Sequence, residues 1–328
     1  MASPSAPCPQ WFALGTFAAG ADTFTGLVSG DQVVELSPAL LGERAGDVAK
    51  LLQRWDEVLP LLADLARRAD LDWRDRSELT TLAPLRPGQV VQSGANYRTH
   101  VIDLVAAHRE PGDERSEEEV RTEAAAMMDR RAAEGEPYLF AGLPSAVCGP
   151  YDDVVLPGYS DKHDWELELA AVIGRPAFRV SRDRALDHVA GYTIANDITT
   201  RDLVFRRDMP EIGTDWLRSK NAPTFLPLGP YLVPAACVTD PMDLRVRLTL
   251  NGQVMQDEST KDMIFDVARL VSAASQTVPL QPGDLVLTGS PAGNGMAWGR
   301  LLHPGDVMAS TITGLGTQTN RCVAEEQR

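Results

Sequence analysis

His163-Asp164-Trp165-Glu166-Leu167-Glu168-Leu169-Ala170-Ala171-Val172-Ile173-Gly174 is the stretch that decides how this chain folds. From Trp165 to Ile173 every residue is apolar except two glutamates, and the run is short enough to be a strand. A strand puts residues two apart on one face, so Glu166 and Glu168 point the same way. Glutamate is depleted from strands and costly to bury unpaired. Two arrangements remain open: a hydrated pair on a solvent face, or a buried pair held against a compensating charge.

Working outward, Gly191-Tyr192-Thr193-Ile194-Ala195 is a second strand-like run. It ends in Asn196-Asp197, with Thr199, Thr200, Arg201 and Asp202 following. Asp197 either closes an Asx turn or cap, or belongs to a site. With Glu166 and Glu168 it would make an oxygen-only ligand set for a hard dication. Three carboxylates leave about three octahedral positions for water or substrate, as Mg²⁺ prefers. Upstream, Ser93-Gly94-Ala95-Asn96-Tyr97-Arg98-Thr99-His100 follows a strand-like run, and Asp103 lies three residues beyond His100. If a helix begins there the two are neighbours, and the acid would support the histidine as a general base; the alternative is a structural histidine. Downstream, Gly283 to Gly295 reads as a strand entering a glycine-rich loop. It lacks the Lys-Ser/Thr ending of a phosphate-binding loop, and Pro291 spoils a dinucleotide fingerprint. It could still offer backbone N–H groups to a small carboxylate.

The rest of the chain predicts α+β architecture with a large antiparallel or mixed β core. Strand-like runs fall at 23–28, 32–36, 89–91, 153–156, 244–250 and 283–288. Helical spacing falls at 51–66, 182–187 and 263–275. Strands do not alternate regularly with helices, which disfavours a doubly wound sheet. A boundary near residue 85 would separate a small N-terminal α+β domain (1–85) from a catalytic domain (86–328). Glu110 to Glu114 reads as a loop. Ser116 to Ala133 is a charged, alanine-rich helix opened by a capping box, Ser116 with Glu119. The segment 104–136 is then either a substrate-ordered lid or a docked helix on a dimer surface.

Among 328 residues, 31 Lys and Arg stand against 46 Asp and Glu, a net charge of −15. That field repels phosphate backbones and anionic membranes, so nucleic acid and membrane are not expected partners. It would also repel a carboxylate substrate unless a bound cation inverts it locally. Cys8, Cys148, Cys237 and Cys322 have no metal-ligand spacing and read as lone thiols. No run approaches the ~18 apolar residues of a membrane span, and no targeting segment is evident, so the cytoplasm is the expected compartment.

Taken together these segments resemble the fumarylacetoacetate hydrolase family. The matching pieces are Asn96-Tyr97-x-x-His100, Pro144-Ser145-Ala146, Glu166-x-Glu168-Leu169-x-x-Val172-Ile173-Gly174 and Gly191-Tyr192-x-x-x-Asn196-Asp197-x-x-x-Arg201-Asp202. Ser219-Lys220, Pro227-Leu228-Gly229-Pro230, Asn251-Gly252-x-x-x-Gln256 and Thr288-Gly289-Ser290-Pro291-x-Gly293 complete them. The resemblance implies a β-roll catalytic domain, usually a homodimer, holding Mg²⁺ or Mn²⁺ on Glu166, Glu168 and Asp197. It places a His–acid dyad on His100 and Asp103 and an active-site lysine on Lys220. Substrate contacts would fall on Tyr97, Arg201, Thr224, Thr288, Gly289 and Ser290. Three positions depart from the pattern: Gly142 stands for a lysine, Val204 for a glutamine and Pro223 for an aspartate. The implied activity is Mg²⁺-dependent hydrolysis of the carbon–carbon bond of a small 2,4-dioxo acid. Decarboxylation or keto–enol isomerisation of a β-oxo acid such as oxaloacetate is one alternative, and a non-catalytic small-molecule binder is another.

Overall fold

The computed structural model describes residues 10–107 and 114–326. The chain opens with strands β1 (Ala13–Ala19), β2 (Asp22–Ser29) and β3 (Gln32–Glu35), then helices α1 (Pro38–Leu41), α2 (Val48–Leu52) and α3 (Trp55–Leu65). Two short strands, β4 (Arg74–Asp75) and β5 (Thr80–Leu82), complete a sheet of order β4-β3-β2-β1-β5. The helix expected over 51–66 is two helices, because the chain leaves helical geometry at Arg54. Each piece buries its own stripe: Val48, Leu51 and Leu52 in the first, Trp55, Val58, Leu62 and Leu65 in the second.

Next come β6 (Val90–Gly94), α4 (Arg98–Ala107), α5 (Glu117–Glu134), β7 (Tyr138–Gly142), β8 (Val147–Cys148), β9 (Val154–Leu156), β10 (His163–Asp164) and β11 (Leu167–Ile173). They are followed by α6 (Arg182–Ala185), β12 (Val189–Asn196), β13 (Thr199–Thr200), α7 (Trp216–Lys220), β14 (Leu226–Pro227) and β15 (Val233–Pro234). The chain closes with β16 (Arg245–Leu250), β17 (Gln253–Ser259), α8 (Val267–Thr277), β18 (Leu285–Leu287), α9 (Gly295–Trp298), β19 (Val307–Ile312) and β20 (Gly316–Ala324).

The central sheet runs β15-β12-β11-β18-β6-β7. Its pairs are antiparallel except β18 with β6, which is parallel, so the sheet is mixed as expected. A second sheet of order β17-β16-β19-β20-β9 lies against it, with β16 beside β11 and β20 beside β12. Every residue of β11 and β12 is therefore buried on both faces. One continuous apolar core runs from Phe12 to Cys322 and includes the N-terminal sheet. The hairpin of α4 and α5 keeps a small core of its own around Val101, Ile102, Ala124 and Met128.

The expected helix over 263–275 begins later, at Val267, capped by Asp266, whose carboxylate accepts from Arg269 N at 2.7 Å. Met263 to Phe265 is instead laid out against Asn96: Ile264 N donates to Asn96 O, and Phe265 N to Asn96 Oδ1. The capping box at Ser116 is present in full. Most of the loop expected at Glu110–Glu114 lies outside the described residues. The lone-thiol reading needs one correction: Cys148 and Cys322 are free and buried, but Cys237 is disulfide-bonded. Cys8 lies outside the described residues.

Candidate metal and active site

The antiparallel register of β11 and β12 assembles the site. Leu167 pairs with Asn196 and Glu168 with Ala195, so the residues flanking the first pair, Glu166 and Asp197, fall opposite each other. Asp197 N donates to Glu166 O at 2.8 Å, and Glu166 N to Asn196 Oδ1 at 2.9 Å. Asn196 therefore clasps Glu166 while Asp197 turns its carboxylate inward. Carboxylate oxygens of Glu166, Glu168 and Asp197 lie within 4.8 Å of one another. Glu168 and Asp197 are buried and Glu166 nearly so. The hydrated-pair arrangement is excluded, as is a mere cap at Asp197.

Two cations from one connecting segment face this cluster. Lys220, at the end of α7, donates from Nζ to Glu166 Oε2 and Thr199 Oγ1, both at 2.8 Å, and to Asp197 Oδ2. Arg201 reaches Glu166 Oε1 at 2.7 Å and Asp164 Oδ2 at 2.8 Å, while its Nη2 is buried with no protein partner among the described residues. Asp164 also accepts from the N–H groups of Trp165 and Gly295. Burial alone would raise Glu166, but Lys220 and Arg201 outweigh it and hold the carboxyl down at about 2. Burial, reinforced by the Asp197 charge, pushes Glu168 well above the carboxylate range. Burial also lifts Asp197, to about 6, against the pull of Lys220.

The donor set fits a divalent cation. Asp164, Glu166, Glu168 and Asp197 supply four buried or nearly buried carboxylates, and Arg201 and Lys220 supply two positive charges. With all six ionised, two negative charges remain uncompensated where water cannot screen them. A dication on Glu166, Glu168 and Asp197 would neutralise that excess and return the raised carboxyls to their ionised form.

The other expected residues fall at varied distances from this centre. His100 lies on α4, half-buried, with its pKa lowered by burial although Glu166 pulls it upward. Asp103 is one turn later, but its carboxylate accepts from Arg121 Nη1 at 2.8 Å and makes no hydrogen bond to His100. The structure thus places the two on one helix without joining them. Gly289 N donates to Glu168 Oε2 at 2.7 Å, and Thr288 Oγ1 to Leu169 O at 2.9 Å. Ser290 Oγ accepts from Gln256, whose Oε1 in turn accepts from Leu167 N. The Thr288-Gly289-Ser290 turn thus braces the glutamate strand. Tyr97 is fully buried, its hydroxyl unpartnered among the described residues. Thr224 does not face the carboxylates with a free hydroxyl: its Oγ1 accepts from Val155 N at 2.8 Å.

Sequence reading missed three contributors. Asp164 and Thr199 anchor Arg201 and Lys220, and Gln92 Nε2 donates to Asp197 Oδ1 at 2.6 Å. Gln92 left little signal, since it follows two valines in a run that another glutamine, Gln89, opens. Aromatic rings close the side beyond Lys220: Phe140 and Trp216 stack at 4.5 Å between centroids, each within 5.8 Å of Lys220 Nζ.

Residues 89–323 match the profile of the fumarylacetoacetate (FAA) hydrolase C-terminal domain. The chain belongs to the fumarylacetoacetate hydrolase family. It is 38% identical over 251 residues to the mitochondrial oxaloacetate tautomerase FAHD2A of Bos taurus, covering 76% of this chain and 71% of the relative. To a 2,4-didehydro-3-deoxy-L-rhamnonate hydrolase of a Sphingomonas strain it is 45% identical over 186 residues, 56% of this chain and 64% of that one. Among solved structures, a fumarylacetoacetate hydrolase from Exiguobacterium antarcticum superposes with TM-score 0.73 at 27% identity. It covers 96% of this chain and all of its own. The α+β expectation therefore holds, and relatives across this family are enzymes. No helix among the described residues is long and apolar enough to cross a membrane.

Proposed function

We propose that this protein is a divalent-cation-dependent hydrolase that cleaves the carbon–carbon bond of a small 2,4-dioxo acid. The observation that carries the reading is the buried excess of negative charge on Glu166, Glu168 and Asp197, sited beside a histidine and two cations. Mg²⁺ or Mn²⁺ held there would act as a Lewis acid toward the carboxylate and 2-oxo oxygens of the substrate.

The chain's own groups supply the rest. Burial keeps His100 neutral at physiological pH, ready to take a proton from water as it attacks the distal carbonyl. Lys220 is held charged by Asp197 and Glu166 despite its burial, and it would stabilise charge that develops on the enolate oxygen of the departing 2-oxo acid. Arg201 Nη2, a buried donor lacking an acceptor among the described residues, suits the substrate carboxylate. Asp103 would act by its charge, one helical turn from His100, with Arg121 controlling how much of that charge reaches the ring. Thr288, Gly289, Ser290 and Tyr97 would act from behind the carboxylate strand, the first three by bracing Glu168.

The name of the Sphingomonas relative describes hydrolysis of a 2,4-didehydro acid, which supports this reading. A second reading has its own support in the tautomerases: the same groups could interconvert the keto and enol forms of oxaloacetate. Product analysis separates them. Incubation of acylpyruvates and of oxaloacetate with enzyme and Mg²⁺ should release two acids from an acylpyruvate. Catalysed enol–ketone exchange of oxaloacetate with no acylpyruvate cleavage would overturn the hydrolase in favour of the tautomerase. A homodimer and a cytoplasmic setting belong to the same proposal. Exposed Phe205, Ile212 and Leu217, around α7, suit a subunit contact that sizing by light scattering would test.

A further inference from the structure

Gln92 is 2% exposed and sits on β6 opposite Phe140 of β7, in a register that pairs Val90 with Gly142. Strand alternation puts Phe140 and Gly142 on one face of β7, the face that presents Phe140 to Lys220. On that face Gly142 leaves bare backbone, and Gln92 fills the space. A Cβ built at 142 would lie 2.8 Å from Gln92 Oε1 and 2.9 Å from its amide carbon, closer than side-chain carbons tolerate.

The displaced amide has a defined task. Its Nε2 donates to Asp197 Oδ1 at 2.6 Å, while Lys220 holds Asp197 Oδ2, so each carboxylate oxygen is fixed by its own donor. The opposite amide orientation would set Oε1 against a carboxylate oxygen, so Asp197 itself decides which way the amide faces. Oε1 is then left buried with no protein donor among the described residues. A buried acceptor without a donor is uncommon. A water or hydroxyl arriving with the bound ligand would satisfy it.

We propose that Gln92 is a positioning residue of the cation site, aiming Asp197, and that Gly142 is glycine because Gln92 needs its side-chain volume. This rests on the cation reading above. Outer partners of metal-binding carboxylates typically change affinity by ~10- to 100-fold. In the full-length protein, Mn²⁺ affinity by isothermal titration calorimetry should fall about 10-fold in Gln92→Met, which keeps the volume and loses the donor. Gly142→Ala should weaken Mn²⁺ similarly, by pushing the amide aside. In the Gln92→Ala/Gly142→Ala pair the second change should then cost nothing further, because its target is gone.

Additive losses in the double variant, or wild-type Mn²⁺ affinity in a Gln92→Met protein that melts like wild type, overturn the inference. Glu168→Gln is the control. If it weakens Mn²⁺ while every Gln92 and Gly142 variant binds normally, the cation site stands and only Gln92's role falls. A wild-type protein that takes up no Mn²⁺ overturns both.

Discussion

Glu168→Gln should move stability in opposite directions with and without the cation. Glu168 is fully buried, and its carboxylate lies within 4.8 Å of those of Asp197 and Glu166. At an effective dielectric of ~20, two unit charges that far apart repel by about 3 kcal/mol. Free of metal, the wild-type fold either bears that repulsion or takes up a proton, and whichever costs less sets the penalty. Glutamine removes it while keeping an oxygen for Gly289 N–H. The variant in EDTA should therefore gain about 1–3 kcal/mol, a melting point higher by roughly 2–6 °C for a chain of this size. Added Mg²⁺ at ~100 times its dissociation constant stabilises wild type by about 2.7 kcal/mol. A ~100-fold weaker site gains only about 0.4 kcal/mol at the same concentration.

The pH dependence follows from the direction of the shift. A carboxyl whose folded pKa is raised contributes stability at low pH, below its unfolded pKa, and loses it as pH rises through the folded pKa. The advantage of Glu168→Gln in EDTA should accordingly shrink as the pH is lowered from 8 toward 6. Differential scanning calorimetry across that range, in EDTA and in Mg²⁺, measures both effects. A variant that melts below wild type in EDTA yet keeps the full Mg²⁺ response would show that Glu168 is a structural acid and no ligand.

Two further outcomes test the catalytic assignment. His100→Gln should keep Mn²⁺ binding in calorimetry while turnover drops ~10²- to 10⁴-fold. In wild type the acid limb of the rate profile should lie below 6.5, because burial lowers His100 and protonation disables it as a base; loss of Mn²⁺ binding in the variant would make His100 a ligand instead. Hydrogen exchange over residues 117–134 should slow when a non-cleavable dioxo acid and Mg²⁺ are added. The α5 helix keeps only a small core with α4 and is tied to the body by Arg131 over Phe265 and Arg269 to Gly135 O. Full protection in the free protein, unchanged by ligand, would mark α5 as permanently docked.

The carboxylate triad was legible because it depends on strand periodicity and one antiparallel register, both of which local sequence encodes. Elsewhere, polar residues took positions where a reader expects apolar ones. In β20 the inward-facing residues include Gln318 and Asn320, so no apolar alternation marks the strand. Gln318 satisfies the carbonyls of Ile194, Pro227 and Gly229, and Asn320 those of Gly149 and Asp152, stitching the second sheet to β12 and to the segments at 149–152 and 227–229. Gln92 escaped notice for the same reason, since its partner Asp197 lies 105 residues away. Sequence spacing did bring His100 and Asp103 onto one helix, but it could not reveal that Arg121, from the next helix, takes the carboxylate. The three departures from the family pattern obey the same logic. Gly142 has meaning only beside Gln92, Val204 is buried with its carbonyl accepting from Asp215 N, and Pro223 is exposed ahead of a Thr224 whose hydroxyl is committed to Val155. Val204 meets the carboxylate centre only through its backbone, its N–H donating to Arg201 O, whereas Gly142 lies against the side chain of Gln92, which itself donates to Asp197. The absent side chain at Gly142 therefore acts on the centre through the space it leaves to Gln92.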